Sequence, residues 1–312
     1  MRFVKWIALG LLALCALIVV AVLAVGLRLD IEPAALMDKY AGPPSRFVDV
    51  DGLSVHYRDR GPRDAPVVLL LHGSSASLHT WEGWMAALSD RFRVIALDLP
   101  DHGMTGPYPA GGDYSLAGYA EFLDRFADRL GLRQFSLAGN SLGGTIAWTY
   151  AGSQPRRVEK LILIDAAGYP RPEKRRFFGL LNFPGAELAL RWLTPRFLVA
   201  ATLRSVYADP AKVDDALVDR YRDLVLRAGN RAAIMPRIRQ YAPDLSLLQR
   251  LDMPVLVMWG AQDRIVPPAV AFRFQNDIDD AALQIYSDLG HVPMEEDAAR
   301  SAADARKFLL GD

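Results

Sequence analysis

Five short apolar runs, residues 67–71, 94–97, 135–138, 161–164 and 255–258, narrow what this chain can fold into more than any other feature. Apart from Ser136 each is unbroken rather than alternating, and they are built mainly from Val, Leu, Ile and Ala, as strands buried on both faces of a parallel sheet are. Amphipathic stretches such as 116–130 lie between them and suit crossover helices. The chain therefore reads as α/β, with a mostly parallel, doubly wound sheet. Upstream, 47–50 and 53–57 flank Asp51-Gly52, a strong hairpin signal. The alternation breaks between about 168 and 251, a stretch rich in Arg and Leu. There Val213, Leu217, Tyr221 and Leu224 fall at helical spacing after Pro210, and no run of strand quality appears. A helical insertion over 168–251 is expected, between core parts 46–167 and 252–312.

Residues 6–27 form a run of 22 residues without a charge, with Arg2 and Lys5 before it and Arg28 after it. As a helix it would be about 33 Å long, against a hydrocarbon core of roughly 30 Å. Residues 1–28 are expected to be an uncleaved transmembrane anchor, with the positive N-terminus cytoplasmic and the rest of the chain on the other side. The alternative is a cleaved signal, with Ala24-Val25-Gly26 as a weak cleavage site, which would release an exported soluble protein. Pro33, Pro43 and Pro44 mark 29–45 as a linker. This N-terminal segment is expected only to tether. The 36 Lys plus Arg cancel the 36 Asp plus Glu, which leaves no electrostatic footprint for nucleic acid. The single cysteine, Cys15, excludes an intramolecular disulfide and a thiolate zinc cluster.

Gly139-Asn140-Ser141-Leu142-Gly143-Gly144 follows the run at 135–138 and precedes a stretch of helical character at 145–153. A Gly-x-Ser-x-Gly sequence between strand and helix is the signature of a nucleophile elbow. The turn is sharp enough that side chains at 139 and 143 would strike the neighbouring strand and helix, so both positions need glycine. Ser141 at the helix N-terminus would also meet backbone N–H groups and the positive end of the helix dipole.

With this motif the chain resembles the α/β-hydrolase fold superfamily over nearly everything after residue 45. His72-Gly73-Ser74-Ser75 looks like the family's oxyanion loop, and Asp98-Leu99-Pro100-Asp101-His102-Gly103-Met104-Thr105-Gly106 resembles its Asp-x-Pro-Gly-x-Gly-x-Ser segment. Asp101 and Thr105 depart from that pattern, where glycine and serine are usual. The resemblance implies a triad in the order Ser, acid, His. Of His56, His72, His79, His102 and His291, only His291 lies after Ser141. Asp263, in the segment after the run at 255–258, is the expected acid. Asp165, after the run at 161–164, is its rival and is read as a structural turn residue. The oxyanion donors implied are the backbone N–H groups of Ser74 and Leu142.

No metal is expected, because His72 and His102 belong to no spaced ligand cluster. No cofactor is expected either, since no Gly-x-Gly-x-x-Gly follows the first strand. A serine at 141 separates the chain from the family's epoxide hydrolases and haloalkane dehalogenases, which resemble it but use an aspartate nucleophile. The function implied is a serine hydrolase that cleaves a carboxylic ester, with a lipid such as a monoacylglycerol among the candidates. Helices in the insertion would cap its site. One alternative is a carbon-carbon bond hydrolase of the meta-cleavage-product type, although Val292 follows His291 where such enzymes usually carry an aromatic residue. The other is a non-catalytic receptor or scaffold that keeps the fold.

Overall fold

The computed structural model describes Trp6, Gly10 and residues 27–109, 111–170 and 185–311. The expected anchor at 1–28 lies outside the described residues except at Trp6, Gly10, Leu27 and Arg28. Among the described residues no helix is long and apolar enough to cross a membrane.

Eight strands form one sheet in the order β1-β2-β4-β3-β5-β6-β7-β8. They are β1 (Arg46–Val50), β2 (Leu53–Arg60), β3 (Val67–Leu71), β4 (Arg93–Leu97), β5 (Phe135–Asn140), β6 (Val158–Ile164), β7 (Val255–Gly260) and β8 (Ala281–Tyr286). The β1–β2 hairpin and the β2–β4 pair are antiparallel, and every other pair is parallel. The apolar runs become β3 to β7, and their pleat feeds two cores. Leu69, Leu71, Leu161, Leu163, Val255 and Val257 enter one core, while Val68, Leu70, Ile162, Ile164, Leu256 and Met258 enter the other. Alternate residues point to opposite faces, so a run apolar at every position needs cover on both sides.

Helices supply that cover. Before the sheet comes α1 (Pro33–Tyr40); around it pack α2 (Glu82–Leu88), α3 (Leu116–Arg129) and α4 (Leu142–Ser153). The insertion follows as α5 (Ala186–Trp192), α6 (Arg196–Val206), α7 (Asp215–Leu226) and α8 (Ile234–Gln240). The chain closes with α9 (Ala269–Asp277), α10 (Pro293–Glu296) and α11 (Ala298–Leu310). Residues of α3, α4 and α9 belong to the first core, and residues of α2 and α11 to the second.

The linker expectation for 29–45 needs correction. Pro33 opens a helix there, because at the first helical position its missing N–H costs no hydrogen bond. Leu36 and Tyr40, one turn apart, are buried with Leu224 of α7 and Met104. Ahead of the helix, the Arg28 amide donates to the Trp192 carbonyl at 2.9 Å and the Ile31 amide to the Leu226 carbonyl at 2.7 Å. The chain leaving the apolar run is thus stitched onto the helical insertion rather than hanging free.

Candidate active site

Ser141 stands between β5 and α4 with φ 54° and ψ −114°. A left-handed φ at a non-glycine residue costs about 1–3 kcal/mol and persists only where the surroundings over-determine it. Here the Ser141 amide donates to the Ile164 carbonyl at 3.0 Å, and the Ser141 carbonyl accepts from the amides of Thr145 at 3.0 Å and Ala167 at 3.2 Å. A Cβ on Gly139 would lie 2.2 Å from the Gly143 carbonyl oxygen, and one on Gly143 would lie 2.3 Å from that of Leu71. The steric reason given for both glycines therefore operates in the fold. The side chain of Ser141 is half-buried and remains reachable.

Above it runs the loop 72–75. A Cβ on Gly73 would approach the Ser141 Cβ to 3.2 Å, so the loop crosses directly beside the serine. His72 is a structural residue of this crossing. Its Nδ1–H donates to the Gly73 carbonyl at 2.8 Å and its Nε2 accepts from the Leu99 amide at 3.0 Å. Burial, with the neighbouring His102, pushes its pKa down to about 3 and keeps it neutral. The amides of Ser74 and Leu142 donate to no acceptor among the described residues, as the first amides of a helix and of a tight loop are free to do.

The loop after β7 carries Asp263 and the loop after β8 carries His291; both residues are buried. Asp263 Oδ1 accepts from the amides of Ile265 at 2.6 Å and Val266 at 3.0 Å, which leaves Oδ2 to meet His291 Nδ1 at 2.7 Å. Three contacts place the histidine loop. Its amide donates to the Val206 carbonyl at 2.8 Å, its carbonyl accepts from Asn140 Nδ2 at 3.0 Å, and Glu296 accepts from the Gly290 amide at 2.8 Å. Since Asn140 immediately precedes Ser141, the elbow and the histidine loop are tied side chain to backbone. With Nδ1 engaged by Asp263, Nε2 is the nitrogen left for proton transfer. The loops of Ser141, Asp263 and His291 all leave the carboxyl ends of their strands, where open α/β sheets bind their ligands.

A model of the alpha/beta hydrolase fold family matches residues 66–298. The chain belongs to that family. Among its relatives is the dihydrolipoyllysine-residue acetyltransferase component of the acetoin cleaving system of Cupriavidus necator, 31% identical over 281 residues, which covers 85% of this chain and 69% of that protein. A 2-hydroxy-6-oxononadienedioate/2-hydroxy-6-oxononatrienedioate hydrolase of Pseudomonas is 27% identical over 284 residues, covering 85% of this chain and 96% of that one. Among solved structures, a membrane phospholipase A described as a bacterial virulence factor matches with a TM-score of 0.76 and 30% identity over 98% of both chains. Family and relatives together support hydrolase activity.

Three features of this alpha/beta hydrolase escaped the reading of its sequence. First, Asp101 adopts φ 64°, the conformation for which glycine is usual at that position. Its carboxylate accepts from Tyr119 Oη at 2.8 Å and pairs with the buried Arg237 of α8, whose guanidinium also donates to His102 Nε2 at 3.0 Å. The departure thus joins core to insertion, a partnership 136 residues apart that no local pattern announces. Thr105 keeps the hydroxyl that serine would supply, donating to the Asp98 carbonyl at 2.8 Å. Second, Glu296 also accepts from the amides of Ala208 at 3.1 Å and Asp209 at 2.9 Å, which joins the insertion to the histidine loop. Third, Asp165 and Asp263 are neighbours rather than spatial alternatives. One ligating atom from each, together with one nitrogen of His291, lie within 4.8 Å of one another. This trio is the one group of metal-holding size among the described residues. Asp263 already accepts three hydrogen bonds, so a cation there would have to displace the donors that orient it.

Proposed function

We propose that the chain is a serine hydrolase that cleaves a carboxylic ester, with Ser141 as nucleophile, His291 as general base and acid, and Asp263 as the carboxylate that orients it. The observation that carries this reading is the 2.7 Å contact of His291 Nδ1 with Asp263 Oδ2, on a loop that Asn140 ties to the residue before Ser141. Ser141 Oγ attacks the ester carbonyl while His291 Nε2 takes its proton, and Asp263 stabilises the imidazolium without taking that proton. The oxyanion meets the free amides of Ser74 and Leu142, each worth about 3–4 kcal/mol where such a donor has been removed. Collapse expels the alcohol with the proton from His291, and a water activated by the same nitrogen resolves the acyl-Ser141 intermediate.

A lipid or other amphiphilic ester is the substrate class we favour. The relative named as a membrane phospholipase A supports it, as does the exposure of Leu29 and of Leu188, Phe197 and Leu198 on α5 and α6. Leu27, the last residue of the apolar run, bridges to Leu193 between those two helices. On this reading residues 1–28 anchor the chain, with the catalytic domain on the non-cytoplasmic side. The second reading, a carbon-carbon bond hydrolase, draws support from the Pseudomonas relative. Labelling with a fluorophosphonate, followed by assay on p-nitrophenyl esters, monoacylglycerols and a dienone acid, separates the readings. Turnover of the dienone acid alone would favour the second, and failure to label at Ser141 would leave the scaffold reading.

A further inference from the structure

Asp165 has no part in that mechanism, yet it sits against it. The residue follows β6 with φ 45° and is fully buried. Its amide donates to the Met258 carbonyl and its Oδ1 accepts from the Gly260 amide, both at 3.0 Å, so its carboxyl is fixed against β7. Its Oδ2 is buried and meets no hydrogen-bond donor. The groups facing it are the carboxylate of Asp263, the imidazole of His291, Tyr286 of β8 and Glu296 of α10. Two carboxylates side by side in a dry site do not both ionise. Asp263 holds three hydrogen-bond donors and Asp165 one amide, so the charge settles on Asp263 and the proton on Asp165.

We propose that Asp165 is a protonated positioning residue whose carboxyl O–H donates to Asp263, so that the two carboxyls together direct a single negative charge at His291. The proposal rests on the reading of Asp263 as the partner of His291. Burial, and then the charge of Asp263, push the Asp165 carboxyl well above the usual carboxylate range, in agreement with this geometry. The arrangement fixes the Asp263 rotamer with a bond that a lone turn residue would not need. It also spares His291 a second full charge, which would hold the proton on the imidazole and slow its delivery to the leaving alcohol.

Unfolding by denaturant between pH 5 and 8, for the wild type and Asp165→Asn, tests the protonation. A carboxyl neutral in the fold and ionised in the unfolded chain makes the fold bind one extra proton, so the unfolding constant of the wild type relative to the variant should rise about tenfold per pH unit. A ratio independent of pH would overturn the proposal. Kinetics tests the positioning. Asp165→Asn, whose amide can donate where the carboxyl did, should rescue kcat to within about threefold of wild type, whereas Asp165→Leu should lose roughly 10- to 100-fold in kcat with little change in KM. An Asp165→Leu enzyme as fast as wild type would refute the positioning role, and an Asp165→Asn enzyme as damaged as Asp263→Asn would make Asp165 the acid instead. Full activity in both Ser141→Ala and Asp263→Asn would sink the catalytic reading while the unfolding ratio still reported on Asp165.

Discussion

Arg231 of the helical insertion grips Asp30 at the point where the chain leaves its N-terminal apolar run. The guanidinium donates to Asp30 Oδ1 at 2.5 Å, to the Arg28 carbonyl at 2.8 Å and to Thr194 Oγ1 at 3.0 Å, and its side chain is 1% exposed. A buried cation stripped of its carboxylate is far more costly than the pair is stabilising. The segment expected only to tether therefore also braces the insertion.

A chain of residues 27–312 should accordingly keep the stability of the full protein, while one of residues 33–312 should melt several degrees lower. Asp30→Ala alone should cost about 2 kcal/mol, reduced from the fully buried case because Asp30 is partly exposed. Thermal melts of the two truncations and the variant beside the full protein check this, and equal midpoints would mean that Arg231 finds another partner.

Replacing Ser141 by Ala should lower ester turnover by several orders of magnitude and abolish fluorophosphonate labelling with the fold intact. A variant that kept more than about a tenth of wild-type kcat would contradict the nucleophile assignment.

Asp263→Asn should cost on the order of 10⁴ in kcat, because an amide in place of Oδ2 invites the wrong imidazole tautomer. Steady-state kinetics beside Asp165→Asn gives the comparison, with the smaller loss expected at 165.

At the junction of core and insertion, Asp101→Gly relieves the left-handed backbone but strands Arg237, and should destabilise by about 3 kcal/mol. Asp101→Gly combined with Arg237→Met should recover most of that loss, because it removes the unpaired charge. Denaturant midpoints of the two variants report the difference. A double variant no better than the single one would show that the ion pair is not the source of the cost.

Acid should loosen the fold well above the carboxylate range. Burial pushes His72 down to about 3, and burial, aided by Arg58 and Arg220 against the pull of Asp98, pushes His79 down to about 4. Both stay neutral in the fold and take up a proton on unfolding once the pH drops below the ordinary value of 6.5. The unfolded chain then binds more protons, so stability is full above that pH and falls by roughly 2.5 kcal/mol for each histidine by pH 4.5. Unfolding free energies measured from pH 7 to 4.5 test this, and His79→Gln should flatten the slope.

What the sequence determined by itself was whatever depends on neighbours along the chain. The runs at 67–71 and 255–258 named their strands because a segment apolar at every position has no stable place except between two layers. Gly139 and Gly143 named the elbow because their spacing about Ser141 is a local pattern, although only the collision avoided at Gly139 lies within one turn of chain, that at Gly143 being with the Leu71 carbonyl of the neighbouring strand. His291, the proposed base, was picked out by order alone, as the one histidine after Ser141. The prolines misled at 29–45, since the same residue that breaks a helix interior starts a helix at its first turn. Only the tertiary structure decided the long-range matters: that Arg231 closes on Asp30, that Asp101 answers Arg237, and that Asp165 and Asp263 share one dry site. Hydrogen bonds and charges act through space across a few ångströms, and partners as far apart as 136 and 201 positions reach that range only once sheet and insertion have packed.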